Sequence, residues 1–485
     1  MKTASYRHIF KYTGIFGGVQ ALNVLVAVVR NKLTAFFIGA VGMGLADLLS
    51  RTVTLFSTTA DLGIPFSGVR HLSELHEQGD RRAIDHYVCL IRSWMLGLAL
   101  LGTAICAVCS PLVSRLTIGD YSATMTYVWV APAIGMSVVW AGELALLRGL
   151  RQLGRLGRVS AFGALGTLVV TAPLYAWLGL DGVVPVVVLT IAVQMAIALY
   201  ASTRQCPYRI VLTKWRFIGQ GRPLLTLGLA YVGAAFLGAL AELGIRAFIS
   251  QSGSLQAVGF YSAGFTLTAS YARLIFTAMD ADYYARLAVA VKDQAAMNVA
   301  VNRQTDVLMV LMVPFLIAFA LGLPWVVRLL YTDEFLAVMP MTLCAMSYMF
   351  FKALFSPAAY LPLASGHART YFLMEALYDL PFVLLVCLGY LWYGLAGAGI
   401  GLALSGAYNL VLVMAVYRRL YGFRPAQATI GRALVCGLWL ALGLTAAWQT
   451  DPALHWGMGL TALTLSAATS WQLMKKAKRP NSTQA

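Results

Sequence analysis

Apolar runs of about 20 residues follow one another along almost the whole chain, separated by short polar links. A helix needs roughly 20 mostly apolar residues to cross a bilayer, so each run reads as a membrane span. The pattern predicts fourteen spans, at 12–30, 43–69, 87–110, 124–146, 160–179, 182–202, 223–249, 257–279, 305–330, 338–363, 371–392, 397–417, 432–449 and 454–473. The first run lacks a small-residue cleavage site, so it is expected to remain as the first membrane helix.

Composition agrees with that pattern. Of the 485 residues, 60% are hydrophobic and 11% charged, and the mean hydropathy is +0.74. Soluble domains carry about 25% charged residues. The net charge of +17 would suit a nucleic-acid binder, but the basic residues sit in the links, so no nucleic-acid partner is expected. Counted over alternate links, 26 Lys and Arg fall on one side and three (Arg30, Lys32 and Arg115) on the other. By the positive-inside rule the richer side is cytoplasmic, which places both termini in the cytoplasm.

The chain also resembles itself. Ala40-Val41-Gly42 recurs as Ala257-Val258-Gly259 and Gly149 as Gly366, both 217 residues on; Trp177-x-Gly179-Leu180-x-Gly182 recurs 215 residues on as Trp392-x-Gly394-Leu395-x-Gly397. Each repeat holds six spans and starts on the same side of the membrane, so the copies are expected to be parallel. The predicted fold class is therefore an all-α polytopic membrane protein of about 14 transmembrane helices. Two parallel six-helix lobes would surround a central cavity, with two further helices at the C-terminus. The expected divisions are 1–202 for the first lobe, 203–222 for a cytoplasmic linker, 223–420 for the second lobe, and 421–485 for the extra helices and basic tail.

Charges inside spans cost several kcal/mol, about 2.5 to over 10, unless they face a partner or a wet cavity. Asp47 and Arg51 share one helix face, four residues apart, and Glu242 and Arg246 repeat that spacing. Each pair either neutralises itself or lines a cavity with its arginine open to an anion. Arg273 and Lys352 have no acid near in sequence, nor do Arg30 and Lys32 at the predicted outer end of the first span. Guanidinium forks match phosphate oxygens, so Arg30, Lys32, Arg51, Arg246, Arg273 and Lys352 are the candidate substrate-binding residues, suited to a diphosphate. Asp47 and Glu242 are candidates for ion coupling. Arg92, near a predicted cytoplasmic end, reads as an anchor.

The stretch from Lys32 to Leu45 (Lys-Leu-Thr-Ala-Phe-Phe-Ile-Gly-Ala-Val-Gly-Met-Gly-Leu) resembles the connection between helices one and two of Wzx-type polysaccharide flippases, within the MATE-like MOP superfamily. Asp61-Leu62-Gly63-Ile64 and Val258-Gly259-Phe260-Tyr261-Ser262-Ala263 are similar to further positions of that family; Ala40 stands where the family usually has Pro. The resemblance implies a bacterial inner-membrane flippase that carries a polyprenyl-diphosphate-linked oligosaccharide to the outer leaflet for cell-surface polysaccharide such as O-antigen or lipopolysaccharide. Its partners would be that glycan lipid, membrane lipid and other polysaccharide assembly proteins. Related flippases have cavity arginines on helices one, two and eight, the helices that hold Arg30, Arg51 and Arg273 here.

Three rivals stay open at this point. A MATE-type cation or drug antiporter depends on membrane carboxylates, often on helix one, where this chain has none. A lipid-linked peptidoglycan precursor flippase would share the fourteen spans. A membrane glycan polymerase or ligase usually carries a large exterior loop, whereas the longest one here is about 111–123. No P-loop, H-E-x-x-H or nucleophile elbow occurs, so neither an enzyme nor a cofactor is expected, and His71, His76, His86 and His367 lack metal-like clustering. The seven cysteines fall in apolar runs or cytoplasmic links, so no disulfide is expected.

Overall fold

The computed structural model describes residues 3–210, 215–270, 275–276, 283–284 and 286–478. Among these residues there is no strand. In a bilayer every backbone N–H and C=O must be paired inside the segment, and the helix does this without a partner chain. The long helices are α1 (Thr3–Ala60), α2 (Ile64–Gln78), α3 (Arg81–Ile118), α4 (Thr124–Gly149), α5 (Leu153–Leu178), α6 (Val183–Thr203) and α7 (Trp215–Ser252). They continue as α8 (Leu255–Phe265), α9 (Gln294–Leu321), α10 (Met339–Ala359), α11 (Ala368–Leu420), α12 (Gln427–Ala447) and α13 (Pro452–Lys478).

Glycines divide the longest of these into spans. A straight helix of 58 residues, the length of α1, would run about 87 Å, nearly three times a hydrocarbon thickness of roughly 30 Å. Gly39 (φ 60, ψ −167) breaks α1 into two arms, and Tyr393 with Gly394 (φ 57, ψ −138) breaks α11 likewise. Nine helical stretches of the described residues are long and apolar enough to cross a membrane. Three of them, 18–60, 154–203 and 368–420, carry two predicted spans each. The nine stretches thus cover twelve of the fourteen predicted spans; the fourteenth falls on α13, and the eighth begins in α8 and extends into residues outside the described set. The chain is a multi-pass membrane protein.

Two predicted boundaries move. The first span does not end at Arg30, because nothing between Asn31 and Ile38 interrupts the helix. Arg30 lies nine residues before the Gly39 break, about 13 Å along the axis, well inside the helical arm rather than at its end. The second span ends at Ala60, not at residue 69. There the Asp61 carboxylate accepts from Gly63 N–H at 2.8 Å, Leu62 and Gly63 take left-handed φ, and Pro65 opens the separate helix α2.

The chain forms two compact units, Met1–Gly259 with Leu330–Thr332, and Phe260–Leu329 with Asp333–Ala485. In the first, Leu49, Tyr127, Ile134 and Val183 lie in one buried cluster and Leu72, Leu90 and Val138 in another. In the second, Leu287, Val301, Phe355 and Tyr417 form a buried cluster.

The internal repeat is visible in the backbone, in one register of 215. Gly179 (φ 56, ψ −127) and Gly394 adopt the same left-handed conformation. A Cβ on Gly182 would meet Leu174 O at 2.9 Å, and one on Gly397 would meet Gly389 O at 1.9 Å, again equivalent positions. The residue equivalent to Gly366 (φ 74) is not Gly149 but Arg151 (φ 54), which corrects the sequence match by two residues. Gly44 and Gly259, also 215 apart, mark a close helix crossing inside the first unit. A Cβ on Gly44 would lie 1.9 Å from Leu255 O and one on Gly259 1.9 Å from Ala40 O. Only residues without side chains allow backbones to approach so closely.

Candidate functional site

Two groups of polar side chains occupy the membrane region of the first unit. The first is a closed ring of four charges. Asp47 and Arg51, on the second arm of α1, face Glu242 and Arg246 on α7. The Arg51 guanidinium lies 3.4 Å from Asp47 and also donates to Glu242. The Arg246 guanidinium donates to Asp47, stands 3.9 Å from Glu242 and donates at 2.9 Å to the Glu242 carbonyl. Each carboxylate is shared by both arginines and the charges cancel. Arg246 is buried and the other three are part-buried. Mutual compensation of this kind is what lets charges persist in a low-dielectric setting. The i, i+4 spacing leaves self-neutralisation and open arginines as alternatives; the structure keeps both i, i+4 contacts and also joins the two pairs across helices.

The second group lines a cavity of about 480 Å³ formed by the first arm of α1 with α4, α5 and α6. Gln20, Asn23 and Arg30 lie along one stripe of α1; Trp140 and Arg148 line it from α4, and Gln194 from α6. The space exists because α5 presents Gly157, Ser160, Gly163 and Ala164 on the facing side. Asn23 Nδ2 donates to Ser160 Oγ at 2.8 Å, while Asn23 Oδ1 is buried with no hydrogen-bond partner. No carboxylate lines the cavity among the described residues. Among the described residues neither Arg30 nor Arg148 has an ion pair or hydrogen bond there. Two guanidiniums in a recess without acids make a site that attracts anions.

Sequence reasoning missed most of this second group. Arg148 sits in the polar link after the fourth predicted span, where it reads as an orientation charge, and the amides lie inside apolar runs. The available signal was Gln20 and Asn23, three residues apart on one face of an apolar helix, and Gln194 within α6, the most apolar long helix of the first unit.

The remaining candidates are dispersed. Lys32 donates to the backbone carbonyl of Tyr331. In the second unit the Lys352 ammonium stands 5.4 Å from the Phe276 ring centre and 6.0 Å from that of Tyr348, with Glu375 as an electrostatic neighbour. Arg273 lies outside the described residues. Arg92 is an anchor. It pairs with buried Glu143 at 2.8 and 3.0 Å, donates to the Cys206 and Pro207 carbonyls at 3.0 Å each, and lies 4.9 Å from the Tyr208 ring centre. That set ties α3 and α4 to the segment after α6. In the same segment, burial raises the pKa of the Cys206 thiol and of the Tyr208 phenol. All seven cysteines are free thiols. Among the described residues no cluster of three or more His, Cys, Asp or Glu is placed to hold a metal ion.

Comparison with known proteins gives the chain a family. The fold resembles those of solved membrane transporters. It is similar to a structure described as the lipid II flippase MurJ in an inward closed conformation (TM-score 0.65, 13% identity, covering 95% of this chain and 99% of that one). It is also similar to an inward-facing multidrug resistance MATE family transporter (TM-score 0.64, 13% identity, 89% and 96% coverage) and to an outward-facing one (TM-score 0.54, 12% identity, 84% and 93% coverage). No curated protein sequence matches the chain. Residues 67–340 match the family model described as polysaccharide biosynthesis protein, and the chain belongs to that family.

Proposed function

We propose that the protein is a flippase that moves a polyprenyl-diphosphate-linked oligosaccharide from the cytoplasmic to the outer leaflet of the bacterial inner membrane. The single observation that carries this reading is the cavity of the first unit, which offers Arg30 and Arg148 and, among the described residues, no carboxylate to a ligand. Polysaccharide family membership supplies the glycan. The reading takes 1–202 and 223–420 as two six-helix lobes, with both termini and the linker 203–222 in the cytoplasm. The cavity then opens from the cytoplasmic half, at the end carrying Arg148. Alternating access follows from charge: an empty cationic recess resists closure into low dielectric, and a bound anion offsets the repulsion. An inside-negative potential assists outward passage of an anion by about 2.3 kcal/mol per charge per 100 mV. A cation antiporter is disfavoured, because the first membrane helix presents Arg30 to the cavity where such a protein needs an acid.

The test is the leaflet distribution of the lipid-linked glycan in cells without the protein. The reading predicts accumulation on the cytoplasmic leaflet, reversed by wild type but not by Arg30→Gln at equal membrane level. Unchanged distribution in the deletion, with export of cationic dyes by the purified protein, would establish the antiporter instead. Rescue of cells lacking peptidoglycan-precursor flipping would move the cargo to that lipid.

A further inference from the structure

The four-charge ring of the first unit has a property that the buried Arg92–Glu143 pair lacks. Neither Arg92 nor Glu143 has an opposite charge three or four residues away on its own helix. Parting α3 from α4 would therefore strand both, and an uncompensated buried charge is strongly destabilising. In the ring, every member has a partner across the helices and another on its own. Arg51 and Arg246 reach Glu242 and Asp47 on the opposite helix. Asp47 and Arg51 also lie 3.4 Å apart within α1, and Glu242 and Arg246 3.9 Å apart within α7. Both own-helix pairs have the i, i+4 spacing that brings side chains together on one face. If α7 moved off the second arm of α1, the cross-helix contacts would be lost while each pair stayed neutral. Asp47, Glu242 and Arg51 are 20%, 28% and 30% exposed, against 2% for Arg92 and Glu143, so the ring is not sealed in a packed core.

The ring stands toward one end of each helix. Asp47 and Arg51 are eight and twelve residues past the Gly39 break, and Arg246 and Glu242 are six and ten residues before Ser252 ends α7. At a rise of about 1.5 Å per residue, all four lie within about 18 Å of those ends. With both termini cytoplasmic, as the flippase reading has it, those are the outer ends. That reading also assigns α1 and α7 to different lobes and opens the cavity from the opposite side.

We propose that the ring is a separable outer latch. It holds α7 against the second arm of α1 while the cavity is open to the cytoplasm. When the helices part to release cargo outward, each charge falls back on its own-helix partner, so the four charges are compensated in both states. The inference rests on the flippase reading and deepens it by naming the contact that must break for outward release.

The test uses the full-length protein in phosphatidylcholine nanodiscs, with its seven cysteines replaced by alanine. Spin labels are attached at Val41→Cys and Ser252→Cys, two exposed positions near the outer ends of the helices that the ring joins. Pulsed electron double resonance reads the distance between them. Asp47→Arg with Arg51→Asp keeps the own-helix pair of α1 and the net charge but turns both cross-helix contacts into like-charge ones. The expected result is a folded protein in which a longer-distance population outweighs the wild-type one. Adding Glu242→Arg and Arg246→Glu makes the contacts opposite-charge again and is expected to restore the wild-type distance. An unchanged distance in the first variant, or a change that the second variant fails to reverse, would overturn the proposal. So would loss of the folded first variant from the membrane, because own-helix pairing would then not suffice. Failure of the flippase reading shows separately, as an unchanged leaflet distribution of glycan lipid in the deletion.

Discussion

Gly179 and Gly394 stand 215 residues apart in different units and share one backbone conformation, φ 56, ψ −127 and φ 57, ψ −138. Each ends one span and begins the turn into the next. No side chain fills the space a Cβ would take at either position, so the glycines are required by dihedral angle alone. Gly179→Ala and Gly394→Ala are each expected to cost about 1–3 kcal/mol of strain. Thermal unfolding of the purified variants should show matching losses; a loss at one position only would speak against equivalent turns.

The crossing at Gly44 and Gly259 makes a different demand. There an added methyl meets backbone oxygen, which cannot move aside. Gly44→Ala and Gly259→Ala should each cost roughly 1–3 kcal/mol or more from overpacking and lower the amount of folded protein in the membrane. Gly18→Ala and Gly238→Ala have open space around the new Cβ and serve as the comparison. Fluorescence-detected size exclusion separates the two outcomes.

Two ion pairs of the first unit differ sharply in burial and should differ in energy. Arg92 and Glu143 are each 2% exposed, whereas Arg151 and Glu77 are 57% and 61% exposed. Glu143→Gln strands a buried guanidinium and is expected to destabilise by about 3–5 kcal/mol. Glu77→Gln should change stability by about 1 kcal/mol or less. Chemical unfolding in one detergent gives both values.

The four-charge ring should behave as one network. Asp47→Asn or Arg246→Gln alone removes one partner from a shared set, while the double variant removes an opposed pair. A double-mutant cycle is expected to show coupling of about 0.5–3 kcal/mol. Additive losses would mean that Asp47 and Arg246 act independently.

Much of this was legible in the sequence. Runs of apolar residues gave the spans because the bilayer fixes their length, and the Trp-x-Gly-Leu-x-Gly recurrence gave the register that the backbone confirms. Boundaries were less legible. Arg30 and Lys32 looked like an end marker because a charge usually marks the interface, yet the helix runs on to Gly39 and leaves Arg30 well inside its arm. The Gly149–Gly366 match failed because sequence identity picked the wrong residue, while Arg151 supplies the left-handed turn. Pairing across helices was not legible at all. Asp47 meets Arg246 and Arg51 meets Glu242 over separations of 199 and 191 residues, and spacing within one helix contains no information about which helix will face it. The cavity escaped notice for a related reason: its amides and Arg148 gain meaning only when α1, α4, α5 and α6 converge.

The cationic recess is the centre of the functional reading, and translocation in a purified system tests it most directly. Proteoliposomes holding the protein and a fluorescent polyprenyl-diphosphate oligosaccharide would be assayed for the fraction of glycan reaching the opposite leaflet. The account predicts protein-dependent transfer, reduced at least tenfold by Arg30→Gln and largely kept by Arg30→Lys. Transfer by Arg30→Gln at the wild-type rate would contradict it.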